Sequence, residues 1–149
     1  MAFVMLNPST ADAVKEDPTI RRCVGFARSW GYGSLSVVNL FAFRATDPSD
    51  LLSAVDAVGP ENDRHIVKEC SQANLTVLAW GNPPRSLTAR ASEVLAVLLE
   101  SGIPAVCLGL TKQGMPRHPL YLAQATVPLA VTRAGDSLLT ATAVTGVAR

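Results

Sequence analysis

The chain has 149 residues, 48% of them hydrophobic, with 13 basic against 12 acidic side chains and a formal net charge of +1. Chains of this size bury about two-thirds of the surface that unfolding exposes, which suits one globular fold with a sizeable core. The near-zero balance excludes a protein that holds nucleic acid by overall charge, so polyanion contacts must come from local clusters of Arg and Lys.

The first apolar run, FVML at 3–6, reads as a buried strand and breaks abruptly into NPSTAD. Asp17-Pro18 then has the form of an N-cap followed by proline at the first helical position. Ile20, Cys23, Ala27 and Trp30 recur at helical spacing until Gly31 and Gly33 stop the run. A second strand, LSVVNLF at 35–41, leads into AFRATDP, and Pro60-Glu61-Asn62-Asp63 puts proline and acids in the first turn of a second helix. Ile66, Cys70 and Ala73 form the apolar side of that helix. LTVLAW at 75–80 is a third strand. A third helix runs from near Arg85 to Ser101, with Leu87, Ala91, Val94, Leu95 and Leu98 inward and Gly102 as its stop, and IPAVCLGL at 103–110 is a fourth strand. Strands apolar on both faces that alternate with helices predict an α/β fold: three layers, α/β/α, around a central, mainly parallel four-stranded sheet.

Residues 1–125 are expected to form a single α/β domain. The pattern weakens after about residue 126, and the extension 126–149, ending in TATAVTGVAR, reads as either an added edge strand or a frayed tail. Cys23, Cys70 and Cys107 are odd in number and widely spaced, which points to reduced core thiols rather than a disulfide or zinc framework. No signal-type segment and no apolar stretch approaching about 18 residues is present, so a soluble, cytoplasmic protein without a membrane segment is expected.

In open α/β sheets, ligands bind beyond the carboxyl ends of the strands. The segments there are NPSTAD, AFRATDP, GNPP and TKQGMPRHP, and they hold Asn7, Ser9, Thr10, Asp12, Arg44, Thr46, Asp47, Asn82, Lys112, Arg117 and His118. The segments leading into the strands are plainer. Each polar group has two readings. Asn7 before Pro8 either caps a turn or faces a ligand. Ser9, Thr10 and Asp12 are turn and cap residues or ligand contacts. Asn39, inside an apolar strand, must be hydrogen-bonded as a core staple or aimed into a site. Arg44 either pairs with Asp47 or meets a phosphate, and Trp80 is either a core or lid residue or a stacking platform. His118, bracketed by Arg117 and Pro119, favours a functional role, whereas His65 belongs to a solvent-facing or supporting position.

No GxGxxG, P-loop or GxSxG pattern occurs, and two histidines without HExxH or CxxC leave no zinc motif, so no metal or other cofactor is expected.

MLNPSTAD with DPTIRRCVGFARSWGY, then VVNLFAFRATDP, GPEND, AWG and CLGLTKQGMPRHPLYL, resembles the successive blocks of the DUF1643 family over roughly residues 3–122. Family members usually carry a further segment before the first strand, and this chain starts on that strand. The block order is also similar, more distantly, to the uracil-DNA glycosylase superfamily. That resemblance implies a glycosylase-like fold and a nucleobase-processing N-glycosidic hydrolase acting on DNA. In it, Asn7 would orient water, His118 would stabilise the departing base, and Lys112 and Arg117 would approach phosphates. A non-catalytic module for a nucleotide or nucleic acid, or an enzyme acting on a small nucleoside or phosphorylated metabolite, are the alternatives. The full set of expected site residues is Asn7 and His118 as catalytic, with Ser9, Thr10, Asn39, Arg44, Asp47, Trp80, Lys112 and Arg117 as substrate-binding.

Overall fold

The computed structural model describes residues 1–10, 17–134 and 138–143. Six strands form one sheet in the order β2-β1-β3-β4-β5-β6. The strands are β1 (Ala2–Met5), β2 (Ser36–Asn39), β3 (Thr76–Leu78), β4 (Ala105–Cys107), β5 (Leu129–Ala134) and β6 (Leu138–Ala143). β1 runs parallel to β2 and β3, and β3 parallel to β4; β4–β5 and β5–β6 are antiparallel.

Two faces of the short parallel strands explain why helices cover both sides. Ala2, Val4, Val38, Leu78 and Cys107 pack with Ile66 and Cys70 of α2 (Asn62–Gln72) and with Ala91, Val94, Leu95 and Leu98 of α3 (Thr88–Glu100). The alternate residues Phe3, Met5, Val77 and Val106 pack with Cys23, Phe26 and Ala27 of α1 (Pro18–Ser29). Full burial of one such large apolar side chain contributes about 1.5–3 kcal/mol, so a strand apolar on both faces is stable only between two layers.

α1 begins where the Asp-Pro signal predicts. Asp17 accepts from Thr19 N–H at 2.8 Å, and Pro18 takes the first helical position. Pro60 instead precedes α2, which starts at Asn62, and the segment after Pro84 forms a 3-10 turn at Arg85–Leu87 before α3.

The sheet has six strands, where the sequence pattern leads one to expect four. The two additional strands are antiparallel and come from the Thr/Ala/Val-rich end, residues 138–143 forming the edge strand β6. β5 and β6 pair with Thr132 opposite Thr140, whose hydroxyls are 2.6 Å apart, a cross-strand pair of modest stabilising value. Among the described residues, no helix is long and apolar enough to cross a membrane.

Candidate functional site

β1 connects through α1 to β2 on one side of it, whereas β3 connects through α3 to β4 on the other side. A crevice therefore opens between the carboxyl ends of β1 and β3, the switch point at which open α/β sheets take ligands. A cleft of about 860 Å3 lies at this edge. It is bordered by the loop after β1 (Leu6, Asn7, Pro8, Ser9), Asn39 at the end of β2, Arg44, Ala45 and Thr46, the β3 end (Trp80, Gly81, Asn82), His118 beyond β4, and Asp17, Thr19 and Ile20 at the start of α1.

The amide of Asn7 is oriented by its partners. Nδ2 donates to Pro8 O at 3.1 Å and to Ala45 O at 2.8 Å. Two carbonyls can only accept, so the NH2 group must face them, and Oδ1 is the polar atom left for a ligand. The same contacts join the first two loops. Ala45 N donates to Pro8 O at 3.1 Å, Arg44 Nε donates to Ser9 O at 3.2 Å, and the hydroxyls of Thr10 and Thr46 are hydrogen-bonded.

Asp17 does more than cap its helix. Its Oδ1 takes the Thr19 N–H, and its Oδ2 accepts from Ser9 Oγ at 3.0 Å, tying α1 to the loop after β1. Partial burial alone would raise its pKa. The hydrogen bonds from Thr19, Ser9 and Ile20 outweigh burial and hold the carboxyl below the ordinary aspartate range.

His118 is half-buried, and its Nδ1 accepts from Leu120 N at 3.3 Å. That contact assigns the neutral ring's proton to Nε2. Burial penalises the charged ring and lowers the pKa, while the Asp17 charge opposes the shift without cancelling it. The neutral imidazole is thus an N–H donor at neutral pH. Gly81, with φ +71°, lets the backbone pass close by: a Cβ there would stand 3.4 Å from His118 Cβ. Gly81 N also donates to Pro116 O at 2.9 Å, seating the late loop against the β3 end.

Residues 1–120 match the DUF1643 family, described as a protein of unknown function. The chain belongs to the DUF1643 family. No curated protein and no solved structure matches it. The matched region of this DUF1643 chain ends just past His118, and β5 and β6 lie beyond it.

Of the residues expected from sequence, Asn7, Ser9, Asn39, Arg44, Trp80 and His118 border the cleft. Thr10 stands beside it, bonded to Thr46. Asp47 caps a 3-10 turn at Pro48–Leu52, accepting from Ser49 N at 2.8 Å and Ser49 Oγ at 2.7 Å, which lowers its pKa. Lys112 and Arg117 are exposed and are not among the residues bordering the cleft. The loop carrying Lys112 is folded on itself. Thr111 Oγ1 accepts from Gln113 N and Met115 N, each at 3.2 Å, and donates to Asn82 Oδ1 at 2.8 Å. Asp12 lies outside the described residues, and His65 is exposed.

Trp80 is 2% exposed and packs in the core on the α2/α3 side, so in this arrangement its faces are taken up by packing. Its Nε1 is buried and has no hydrogen-bond partner among the described residues.

Two features of this DUF1643 chain escape a sequence reading. Asp17 borders the cleft, although the Asp-Pro signal marks it only as a cap. Arg90, 7% exposed, sits on the apolar stripe of α3; its Nε donates to Leu40 O at 2.9 Å and its guanidinium pairs with Asp63. Asn62 Nδ2 donates to Asn39 O and Leu40 O, each at 3.0 Å. The GPEND block thus holds the end of β2, where Asn39 enters the cleft wall. The signal for Arg90 was its helical spacing from Leu87 and Val94.

Proposed function

We propose that the cleft takes a nucleobase with its sugar, and that the protein is an N-glycosidic hydrolase of DNA-glycosylase type acting on a base in nucleic acid. One observation carries the reading: a fixed acceptor, Asn7 Oδ1, and a neutral donor, the N–H of His118, border the same cleft. Asn7 follows β1, and His118 stands against Gly81 at the end of β3, the neighbouring strand, so the two groups reach the cleft from adjacent strand ends. The cleft volume lies within the usual range for small-molecule sites.

The chemistry suits those groups. The C1′–N bond breaks heterolytically, both electrons leave with the base, and the sugar becomes cationic. A water adds its oxygen to C1′ and releases a proton that ends, through solvent, on the departed base. A preoriented N–H stabilises negative charge on that base. Asn7 is no base, but its Oδ1 can orient the water. The target base must leave the stack to reach the cleft.

Arg44 is the one Lys or Arg bordering the cleft among the described residues, and this favours a second reading, a non-catalytic site for a nucleotide carrying one phosphate. Single- and double-stranded oligonucleotides with uracil, mismatched or modified pyrimidines, treated to cleave abasic sites, separate the two. Base release that Asn7→Ala and His118→Ala abolish supports the hydrolase. Binding without release across the panel replaces it with the binding module.

A further inference from the structure

The geometry points to Arg22 as the positioning residue of His118: from α1 it clasps the segment just after the histidine and so holds the ring half-buried in the cleft wall. The role goes beyond the reading of the cleft, since it holds whether the site hydrolyses a ligand or only binds one. His118 stands midway along the connection from β4, which ends at Cys107, to β5, which starts at Leu129. The side before it is held by backbone: Gly81 N donates to Pro116 O and Arg117 N to Gly109 O, each at 2.9 Å. The side after it is held from α1. His118 opens a 3-10 turn at Pro119–Tyr121, which Leu122 N closes on Pro119 O at 3.2 Å. Leu122 is buried in one cluster with Cys23 and Phe26, and Arg22 Nη2 donates to Leu122 O while Nη1 donates to Gln124 Oε1 at 2.9 Å.

α1 is shaped to receive this segment. Arg22, Gly25 and Ser29 recur at i, i+3 and i+7, which puts them on one face of the helix. A Cβ at Gly25 would stand 3.0 Å from Gln124 Oε1, so glycine leaves the amide its room, and Ser29 Oγ accepts from Gln124 Nε2 at 3.1 Å. The Arg22 guanidinium lies over the Phe26 ring, 5.1 Å from its centroid, and its Nε is buried with no hydrogen-bond partner among the described residues. A tie of merely surface value would not leave a buried donor unpaired, which costs stability. The planar fork reaches two acceptors at once, which a single ammonium does not reproduce. Burial of His118 is what lowers its pKa and keeps the ring neutral. Of the charged groups around the ring, Asp17 at the start of α1 opposes that effect, and Arg117 is exposed.

Titration of the two histidines by NMR, followed at their ring Cε1–H signals, tests the role on the ligand-free protein, with exposed His65 as internal reference. Arg22→Lys keeps the charge and loses the fork. It is expected to raise the His118 pKa by at least about 0.3 toward the ordinary value of about 6.5 and to leave His65 unmoved. Gln124→Ala, an exposed substitution that also keeps every charge, is expected to give a smaller rise, and it carries the test alone should Arg22→Lys fold poorly. Arg28→Gln removes an exposed cation from the same helix and should leave the ring at its wild-type value. A His118 that does not move in folded Arg22→Lys, or in Gln124→Ala where that protein fails to fold, overturns the role. So does an equal rise in Arg28→Gln. Because no ligand is used, either result leaves the reading of the cleft to the base-release assay.

Discussion

Replacing Asn7 by Asp tests the orientation on which the proposed chemistry depends, with no substrate needed. The substitution puts an oxygen where Nδ2 stands, so the bonds to Pro8 O (3.1 Å) and Ala45 O (2.8 Å) are lost and an anion is set against two carbonyls. Asn7→Ala loses the same two bonds. Pro8 O keeps Ala45 N at 3.1 Å, so that cost is about 1–2 kcal/mol. Asn7→Asp adds repulsion and the desolvation of a half-buried carboxylate, for about 2–4 kcal/mol at pH 7. The introduced carboxyl would have a folded pKa above its unfolded value of about 3.9. The neutral acid is therefore favoured in the folded state, and the excess penalty appears as pH rises through that raised pKa and vanishes below about pH 4. Urea unfolding followed by the fluorescence of Trp30 and Trp80, at pH 7 and at pH 4, reads both effects if m stays constant. An Asn7→Asp protein as stable as wild type at pH 7, or more stable than Asn7→Ala, would refute the assignment of Nδ2 to the two carbonyls.

Arg90→Ala should cost about 2–4 kcal/mol by urea unfolding, from the lost charge-assisted bond to Leu40 O and the space left by a buried side chain, and Arg90→Met clearly less. Asp63→Asn should cost under about 1 kcal/mol, because the Asp63 side chain is 51% exposed and solvent screens the pair; equal losses for Asp63→Asn and Arg90→Ala would contradict this. Because burial depresses the His118 pKa, its neutral ring contributes stability that is present above the unfolded value of about 6.5 and is lost as pH falls through the folded pKa. Thermal midpoints from pH 7.5 to 5 should therefore fall more steeply for wild type than for His118→Asn. The three thiols, with Cys23 pushed up to about 12 by burial and by the Asp17 charge, and Cys70 and Cys107 raised by burial, should resist a disulfide reagent at pH 8 in the native state and react fully in urea.

What the sequence discloses is what local chemistry decides. The start of α1 follows from Asp17-Pro18, and the first four strands from short apolar runs, the first shifted by one residue and the other three longer than the observed strands because the apolar residues continue into the loops at Leu40, Ala79 and Leu108. The switch-point rule brings Asn7, Asn39, Arg44 and His118 to one cleft from four segments. The rest depends on pairings between distant residues. β5 and β6 are stable as an antiparallel pair added to an existing edge, and a mixed Thr/Ala/Val sequence carries no strong period of its own. Arg90 is buried on an apolar stripe because Asp63 and the Leu40 carbonyl receive it from 27 and 50 residues away. Lys112 has the right charge and the right loop, but the turn built on Thr111 leaves it exposed and off the cleft wall.

The placement of cations gives the means of telling a polynucleotide from a free nucleotide. Arg44 borders the cleft, while Lys112 and Arg117 are exposed on the late loop that ends in His118. A single strand passing from the cleft over that loop would meet three cations, and each phosphate neutralised on single-stranded nucleic acid contributes about −0.7 to the slope of log affinity against log salt. Three contacts give a slope of about −2, or a loss of roughly 20-fold in affinity between 50 and 200 mM salt. Lys112→Ala and Arg117→Ala should each make the slope shallower by about 0.7, and the two effects should add. A free nucleotide held by Arg44 alone would give a slope of less than about 1 in magnitude, unmoved by either substitution. Fluorescence anisotropy with a labelled strand, repeated across salt concentrations, measures it. A steep slope indifferent to Lys112 and Arg117 would mean that the strand leaves the cleft in another direction, past the start of α1 with its exposed Arg21 rather than past the late loop.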